Sequence, residues 1–297
     1  MKIRIGFGLG AQGLRDASRL SELVDQLEAQ RFDSLWLSER VSAGAADPLV
    51  GLSFAAGRTE KLKLGTSVQV LPGRNPALLA KEWASLDVLS KGRVLPAFGL
   101  GVAHPVEQQA FGVAREQRAA IFDEALPLVR RFWTEDAVTH HGEHFSFDGI
   151  TVLPKPVQQP PDVWLGGRAK SELRRVGRLG DGWLPSFSTP AECAAGRVVV
   201  EEAADAAGRA IDVEHFGALV IYVHDEIPEL LATVIKSRNP GTDPADLIPV
   251  GLPALKAHLE GFLEHGFSKL VLVPAHDPPS WADELGAVAD QILPLQN

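Results

Sequence analysis

Charged and polar side chains that could act on a substrate stand together at Ser38-Glu39-Arg40, directly after a short apolar run. A carboxylate beside a guanidinium can orient a bound molecule, although the same pair at a surface is often only solvated. His104 follows another apolar run, and its imidazole could donate a proton near neutral pH; an exposed loop histidine without a role is the alternative. These observations make Glu39, Arg40 and His104 the candidate catalytic residues.

Glycines mark two places where a ligand could lie close to the backbone. Gly65-Thr66-Ser67-Val68 lies inside an apolar run, where a glycine indicates a bulge, a close approach of the backbone or simple packing in a crowded interior. Gly99-Leu100-Gly101 ends another run and lacks the full spacing of a dinucleotide-binding loop. Small residues there leave room for a flat ring, and a tight turn is the alternative.

A third glycine segment, Gly166-Gly167-Arg168-Ala169-Lys170-Ser171, joins an apolar run to a predicted helix. Backbone N–H groups at the start of a helix bind anions, and glycines let the backbone approach a phosphate closely. Arg168 or Lys170 could add a positive charge. An ordinary glycine turn is the alternative, but the coincidence of glycines, cations and a helix start favours a phosphate site.

Three histidines, His140, His141 and His144, have a spacing that could suggest metal ligands. They lie in a segment that alternates like a hairpin, in which His140 and His141 would face opposite sides. We therefore predict no metal site.

The candidate segments are positioned by a regular alternation of short apolar runs and helices with one apolar stripe. The predicted strands are residues 3–9, 34–39, 62–71, 93–101, 162–167, 182–185, 215–223 and 269–274. Such near-continuous apolar strands, separated by helices, indicate a parallel sheet covered by helices. We predict an α/β fold, a (β/α)8 barrel with insertions forming a single domain over residues 1–297, with a doubly wound open sheet as the alternative. In such barrels function lies at the C-terminal ends of the strands.

Two segments interrupt this rhythm. Residues 137–161 alternate and then contain four prolines, which predicts an inserted hairpin followed by an extended segment. Residues 237–253 are rich in proline, glycine and aspartate, and we predict a loop that acts as a lid.

Composition excludes several classes of function. The 297-residue chain has 38 acidic and 29 basic residues, a net charge of −9, which argues against nucleic-acid or anionic-membrane binding. Its single cysteine, Cys193, cannot form an internal disulfide and is expected to be a small packed side chain. No leader-like or membrane-spanning run is evident, so we expect a cytoplasmic protein.

Taken together, the motifs resemble those of the luciferase-like monooxygenase superfamily, and within it the deazaflavin-dependent oxidoreductases. The markers are FDSLWLSER, LGTSVQVLPGRNPALLAKEWASLDVLSKGRV, FGLG, PKPVQQPP, WLGG and GRLGDGW, which span essentially the whole chain. The resemblance implies a flavin-like ring across the strand ends of a barrel. It also implies a non-proline cis peptide in the third strand, which would fall at Ser67-Val68 and support the ring.

The resemblance further implies coenzyme F420 as cofactor, with FMN as the alternative. The cofactor phosphate would meet Gly166, Gly167 and Arg168, with Ser171 at the helix start, while Gly99 and Gly101 would border the ring. Relatives are commonly homodimers, so we expect a homodimer that acts on a small-molecule substrate.

One branch of the superfamily is not matched by this sequence. Sugar-phosphate dehydrogenases of this kind have Asp-His after the second strand, where this chain has Glu39-Arg40. They also have a glutamate after the glycines of the fourth strand, where this chain has Val102. We therefore expect an F420-dependent oxidoreductase acting on another substrate. The alternatives are an FMN-dependent monooxygenase served by a separate reductase and a non-catalytic cofactor-binding protein.

Overall fold

The computed structural model describes residues 1–10, 16–102 and 104–297. The strands are β1 (Arg4–Leu9), β2 (Ser34–Leu37), β3 (Lys63–Thr66), β4 (Gln69–Val70), β5 (Val94–Leu95), β6 (Ala97–Gly99), β7 (Val138–His141), β8 (Ser146–Ile150), β9 (Trp164–Leu165), β10 (Gly182–Trp183), β11 (Gly217–Tyr222) and β12 (Lys269–Pro274). The helices are α1 (Ala17–Ala29), α2 (Pro48–Ala56), α3 (Pro76–Leu89), α4 (Pro105–Phe111), α5 (Arg118–Thr134), α6 (Lys170–Leu179), α7 (Pro190–Ala206), α8 (Glu229–Arg238), α9 (Pro244–Leu247), α10 (Leu252–Glu264) and α11 (Trp281–Ile292), followed by a 3-10 turn at Leu293–Leu295.

The parallel strands close into a barrel. One sheet has the order β11-β12-β1-β2-β3-β5, and the other has the order β10-β9-β6-β4. The third predicted strand is divided into β3 and β4 and the fourth into β5 and β6, so each of these strands belongs to both sheets. Parallel bridges between Trp183 and Phe216 and between Ser186 and Leu219 join β10 to β11. The predicted (β/α)8 barrel is thus confirmed, and the open doubly wound sheet is excluded.

The barrel interior is filled by aromatic and branched side chains. Trp36 and Trp164 meet edge to face with ring centroids 6.3 Å apart, and both are fully buried. Gly65 and Gly182 make room for them, because a Cβ at either position would lie 2.5 Å from one of these indole rings. Tight packing, the alternative that the sequence left open for Gly65, is therefore the reason for this glycine.

A larger apolar layer lies between the strands and the surrounding helices. It includes Leu23 and Leu27 of α1, Trp83 of α3 and Trp281 of α11. Cys193 of α7 is 1% exposed, as expected for a small packed side chain. Because both faces of the strands are buried, their sequences read as near-continuous apolar runs.

The two interruptions have regular structure of their own. Residues 137–161 contain the antiparallel hairpin β7–β8, followed by a segment with cis peptides before Pro154 and Pro160. Residues 237–253 are not a loop throughout, since they contain the end of α8, all of α9 and the start of α10. Leu247 and Ile248 are buried there, and Gly251 N donates to Val223 O at 2.8 Å.

Among the described residues, no helix combines the length and the apolar character needed to cross a bilayer.

Candidate active site

A cavity of about 430 Å³ opens at the C-terminal ends of the strands. Residues at or just beyond the end of every barrel strand line it, together with residues of α5, α6 and α8. The lining residues that the following argument uses are Ser38, Glu39, Arg40, Ser67, Val68, Gly99, Gly101, Gly166, Gly167, Glu172, Phe187 and Arg238.

The peptide bond between Ser67 and Val68 is cis, at the position that the family resemblance implies. The end of β2 holds it from one side, because Ser67 N donates to Leu37 O at 2.8 Å and Glu39 N donates to Val68 O at 3.2 Å. The hydroxyl of Ser38 donates to Ser67 O at 2.9 Å. The cis peptide is therefore fixed by the neighbouring strand, and both of its residues line the cavity.

The side chain of Val68 forms a floor that glycines leave uncovered. A Cβ at Gly99 would lie 2.5 Å from Val68 Cγ2, and a Cβ at Gly166 would lie 3.3 Å from Val68 Cγ1. Gly101 has φ of +78°, a backbone conformation that glycine adopts without strain. The glycines therefore keep a flat apolar surface open to the cavity.

Glu39 braces the strand instead of presenting a free carboxylate. Its Oε2 accepts from Val70 N at 2.6 Å, and its Oε1 forms an ion pair with Arg74. Arg74 in turn donates from Nε to Val70 O at 2.9 Å. Burial raises the pKa of Glu39 above its ordinary value, although the charge of Arg74 opposes the shift. Both oxygens are thus engaged in holding β4 beyond the cis peptide.

The predicted phosphate segment is followed directly by a negatively charged residue. Glu172, in the first turn of α6, accepts through Oε2 from Arg168 N at 2.9 Å and from Ala169 N at 3.0 Å. Two of the backbone donors that an anion could use, the N–H groups of Arg168 and Ala169, are therefore already bonded to this carboxylate.

Positive charge gathers on the other side of the mouth, where α8 meets the loop after β10. Burial lowers the pKa of Arg238, and the charges of nearby Arg40 and Arg168 lower it further. Over the described ranges, no carboxylate lies within the 4.0 Å ion-pair distance of these three guanidinium groups. Although the charge of Arg40 also acts on Glu107, a group of three neighbouring guanidinium groups favours the binding of an anion.

Phe187 packs against the arginine cluster formed by Arg40, Arg168 and Arg238. Its backbone has φ of +54°, and Asn239 Nδ2 donates to its carbonyl at 2.8 Å. The guanidinium of Arg238 lies over its ring, 5.5 Å from the centroid, and Arg168 donates to the carbonyl of Arg238. Phe187, Arg238 and Glu172 were not among the predicted site residues, since they carry no motif and only the tertiary fold brings them to the mouth.

The cavity brings together eight of the predicted site residues, namely Glu39, Arg40, Ser67, Val68, Gly99, Gly101, Gly166 and Gly167. The lining does not include His104, Arg168 or Ser171. His104 is exposed at the N-cap of α4, and Ser171 is exposed in the first turn of α6. Arg168 instead belongs to the arginine cluster through its contact with Arg238.

The hairpin histidines point to different partners, as the predicted alternation requires. His140 Nε2 lies 2.9 Å from Glu124 Oε1, whereas His141 Nε2 lies 3.2 Å from Asp148 Oδ1.

Comparison with known proteins assigns the chain to a protein family. The sequence model of the luciferase-like monooxygenase family matches residues 2–289. The chain belongs to this family. An F420-dependent glucose-6-phosphate dehydrogenase of Kineococcus radiotolerans is 30% identical over 192 residues, which cover 61% of this chain and 56% of that protein. A protein of the same name from Nocardia farcinica is 27% identical over 271 residues, 79% of this chain and 80% of that protein.

Curated relatives are matched over part of their length, and solved structures are matched throughout. The chain spans 56%, 65% and 53% of three F420-dependent glucose-6-phosphate dehydrogenases. A structure described as an F420-dependent secondary alcohol dehydrogenase in complex with an F420-acetone adduct has a TM-score of 0.83 at 20% identity, covering 100% of both chains. The monooxygenase RslO1 of Streptomyces bottropensis has a TM-score of 0.80 at 21% identity, covering 99% of both chains. These structural similarities establish the fold.

Proposed function

We propose that this protein is an F420-dependent oxidoreductase that transfers a hydride between the deazaflavin and a small organic substrate. The observation that carries the proposal is the floor of the cavity, where the side chain of Val68 lies beside Gly99 and Gly166. The names of the relatives support the choice of cofactor.

The residues at the mouth fit such a cofactor in shape and in charge. Val68 offers an apolar surface to a flat ring, and Gly99 leaves that surface uncovered. The neighbouring Arg40, Arg168 and Arg238 suit a cofactor that carries phosphate. When bound there, F420 supplies the hydride chemistry at C5 of its deazaflavin, and the protein supplies position and electrostatics.

Side chains of the cavity would position the substrate and keep water out. Leu219, Ile221 and Val273 present apolar surface from β11 and β12. The guanidinium of Arg40 would stabilise negative charge that develops on a substrate oxygen. Ser38 would hold the cis peptide through its bond to Ser67. This lining suits a small, largely apolar alcohol, aldehyde or ketone.

We place the cofactor phosphate at the arginine cluster and not on the N–H groups of Arg168 and Ala169. Glu172 already accepts from both N–H groups, and its charge would repel an anion. Arg238 to Ala should therefore weaken F420 binding at least about tenfold, because a charged hydrogen bond contributes about 1.5–3 kcal/mol. Fluorescence titration should show no such loss for the phosphate-free deazaflavin.

Arg58 to Ala is the matched control, because Arg58 also lies 5.5 Å from the centroid of a phenylalanine ring, that of Phe54. An unchanged F420 affinity in the Arg238 variant would refute this placement of the phosphate while leaving the cofactor proposal intact.

Glucose 6-phosphate is not the substrate that we propose, although several relatives carry that name. Val102 lines the cavity where the sugar-phosphate branch has a glutamate, and Glu39 is engaged by Val70 and Arg74. The enzyme should therefore reduce F420 with a simple alcohol but not with glucose 6-phosphate, as followed by the loss of oxidised F420 absorbance. Turnover of glucose 6-phosphate would overturn this exclusion, and F420 binding without turnover of any alcohol, aldehyde or enone would favour a non-catalytic binding protein.

We also propose that the protein is a homodimer and is located in the cytoplasm. Exposed apolar side chains on the neighbouring helices α2 and α3, Val50 at 67% and Leu78 at 64%, support self-association. Light scattering should give twice the mass of one chain. The mass of a monomer at micromolar concentration would contradict the dimer.

A further inference from the structure

Two histidines that are not part of the cavity lining meet at the C-terminal end of the barrel. His224 and His276 each lie two residues beyond the end of a strand, β11 and β12 respectively. Tyr222 and Pro274 are partners in the register of these parallel strands. The register therefore brings the two imidazoles together, with ring centroids 5.0 Å apart.

The first turn of α11 brings a carboxylate to the same point. Glu284 is 7% exposed, and its Oε1 accepts from the hydroxyl of Tyr222 at 2.5 Å. Its Oε2 lies 2.8 Å from His224 Nε2 and 3.7 Å from His276 Nε2. One oxygen is thus fixed by the tyrosine, and the other faces both histidines.

This donor set has the composition and the size of a transition-metal site. Two imidazole nitrogens and one carboxylate oxygen are common zinc ligands, and in a tetrahedral site the ligand atoms lie about 3.4 Å apart. The distances of 2.8 Å and 3.7 Å fall on either side of that value, and the three ligand atoms all lie within 4.8 Å of one another. Metal ligands are usually oriented by hydrogen bonds from a second layer of residues, and Tyr222 would hold Glu284 in this way.

We propose that His224, His276 and Glu284 form a binding site for a divalent transition-metal ion such as Zn²⁺, with a fourth position open to water. The histidine side chains are 36% and 34% exposed, so an ion can enter from solvent. Binding replaces the hydrogen bond between His224 and Glu284, and the neutral imidazole then carries its hydrogen on Nδ1. The ion would join the ends of β11 and β12 to α11.

The site is separate from the proposed cofactor site, since Tyr222 packs in the layer between strands and helices whereas Ile221 lines the cavity. The test uses the full chain after treatment with a chelator, titrated with Zn²⁺ by calorimetry and with Co²⁺ by visible spectroscopy. We expect one ion per chain, the intense visible bands of tetrahedral Co²⁺, and a higher unfolding temperature with Zn²⁺.

Variants separate this site from adventitious surface binding. His224 to Ala combined with His276 to Ala should abolish the Co²⁺ bands, and Tyr222 to Phe should weaken affinity about 10- to 100-fold. The control replaces the exposed His141 and His265 by Ala and should bind as the wild type does. Failure of the wild-type chain to bind, or binding that survives loss of both His224 and His276, would overturn the proposal. If the double variant does not fold, Glu284→Gln, which preserves side-chain shape, should also lose the Co²⁺ bands, and unchanged bands would overturn the proposal.

Discussion

At the scale of single residues, Gly99 matters because of what its missing side chain leaves open. A Cβ there would lie 2.5 Å from Val68 Cγ2, so the valine, whose side chain lines the cavity, would have to shift. The sequence predicted that Gly99 borders a ring, but the contact with Val68 follows from the fold. His104 is the opposite case. Its position just after a strand suggested a catalytic role, but the fold places it at the exposed start of α4.

Gly99→Ala should weaken F420 binding at least about fivefold while the fold persists, because an added methyl group that forces its neighbours to shift costs about 1–3 kcal/mol. Fluorescence titration measures the affinity, and circular dichroism checks the fold. Gly286 to Ala is the control, since a Cβ at this position of α11 meets nothing within 4 Å. An F420 affinity equal to that of the wild type would show that Val68 is not the floor of the binding site.

At the scale of elements, α3 supports the strand that carries the site. Asn75 caps the helix by accepting through Oδ1 from Ala77 N at 2.9 Å and from Leu78 N at 3.3 Å. Trp83 of the same helix donates from Nε1 to Gln69 Oε1 in β4 at 2.9 Å. The helix therefore holds the half-strand that follows the cis peptide.

Asn75 to Ala should lower the free energy of unfolding by about 1 kcal/mol, the usual cost of losing such a cap. Thermal or urea unfolding measures the change. Asn75 to Asp keeps an acceptor at the cap and should restore most of the stability. Equal losses in both variants would show that the cap is not the source.

Prediction from sequence succeeded for elements with a strong apolar pattern. The barrel strands are buried on both faces, and α5 carries a wide buried stripe that includes Phe122, Val129 and Phe132. The remaining short helices show no such stripe, because α4 and α9 are seven and four residues long and only Ile235 of α8 is buried. Arg238 at the end of α8 was missed for the same reason.

At the scale of the whole molecule, the N-terminal end of the barrel is held by a buried charge cluster far from the site. Asp33, just before β2, forms ion pairs with Lys63 at the start of β3 and Lys269 at the start of β12. Lys269 is 1% exposed. These ion pairs stabilise the N-terminal end of the barrel, and the C-terminal end is the one that carries function in barrels of this kind.

Acid should weaken the fold through Asp33. Burial opposes ionisation of this carboxyl, but Lys269 and Lys63 outweigh it and lower its pKa from 3.8 to about 2. The contribution of this ionised carboxyl is therefore fully present above pH 3.8 and is lost as the pH falls towards 2. Urea unfolding as a function of pH should show this loss in the wild type and not in Asp33 to Asn.

The same variant should be less stable by about 3 kcal/mol at neutral pH, because Lys269 would remain buried without its partner. Asp25 to Asn is the control, since Asp25 pairs with Arg58 at the surface and should cost less than 1 kcal/mol. Similar stability of the two variants would mean that the buried cluster does not support the barrel.

Cofactor choice is the claim on which the proposed function depends most. The direct measurement is the titration of the purified protein with F420 and, separately, with FMN, followed by fluorescence. We predict that F420 binds at micromolar or lower concentration and that FMN does not compete with it. Micromolar binding of FMN without binding of F420 would contradict the proposal and make the protein an FMN-dependent monooxygenase.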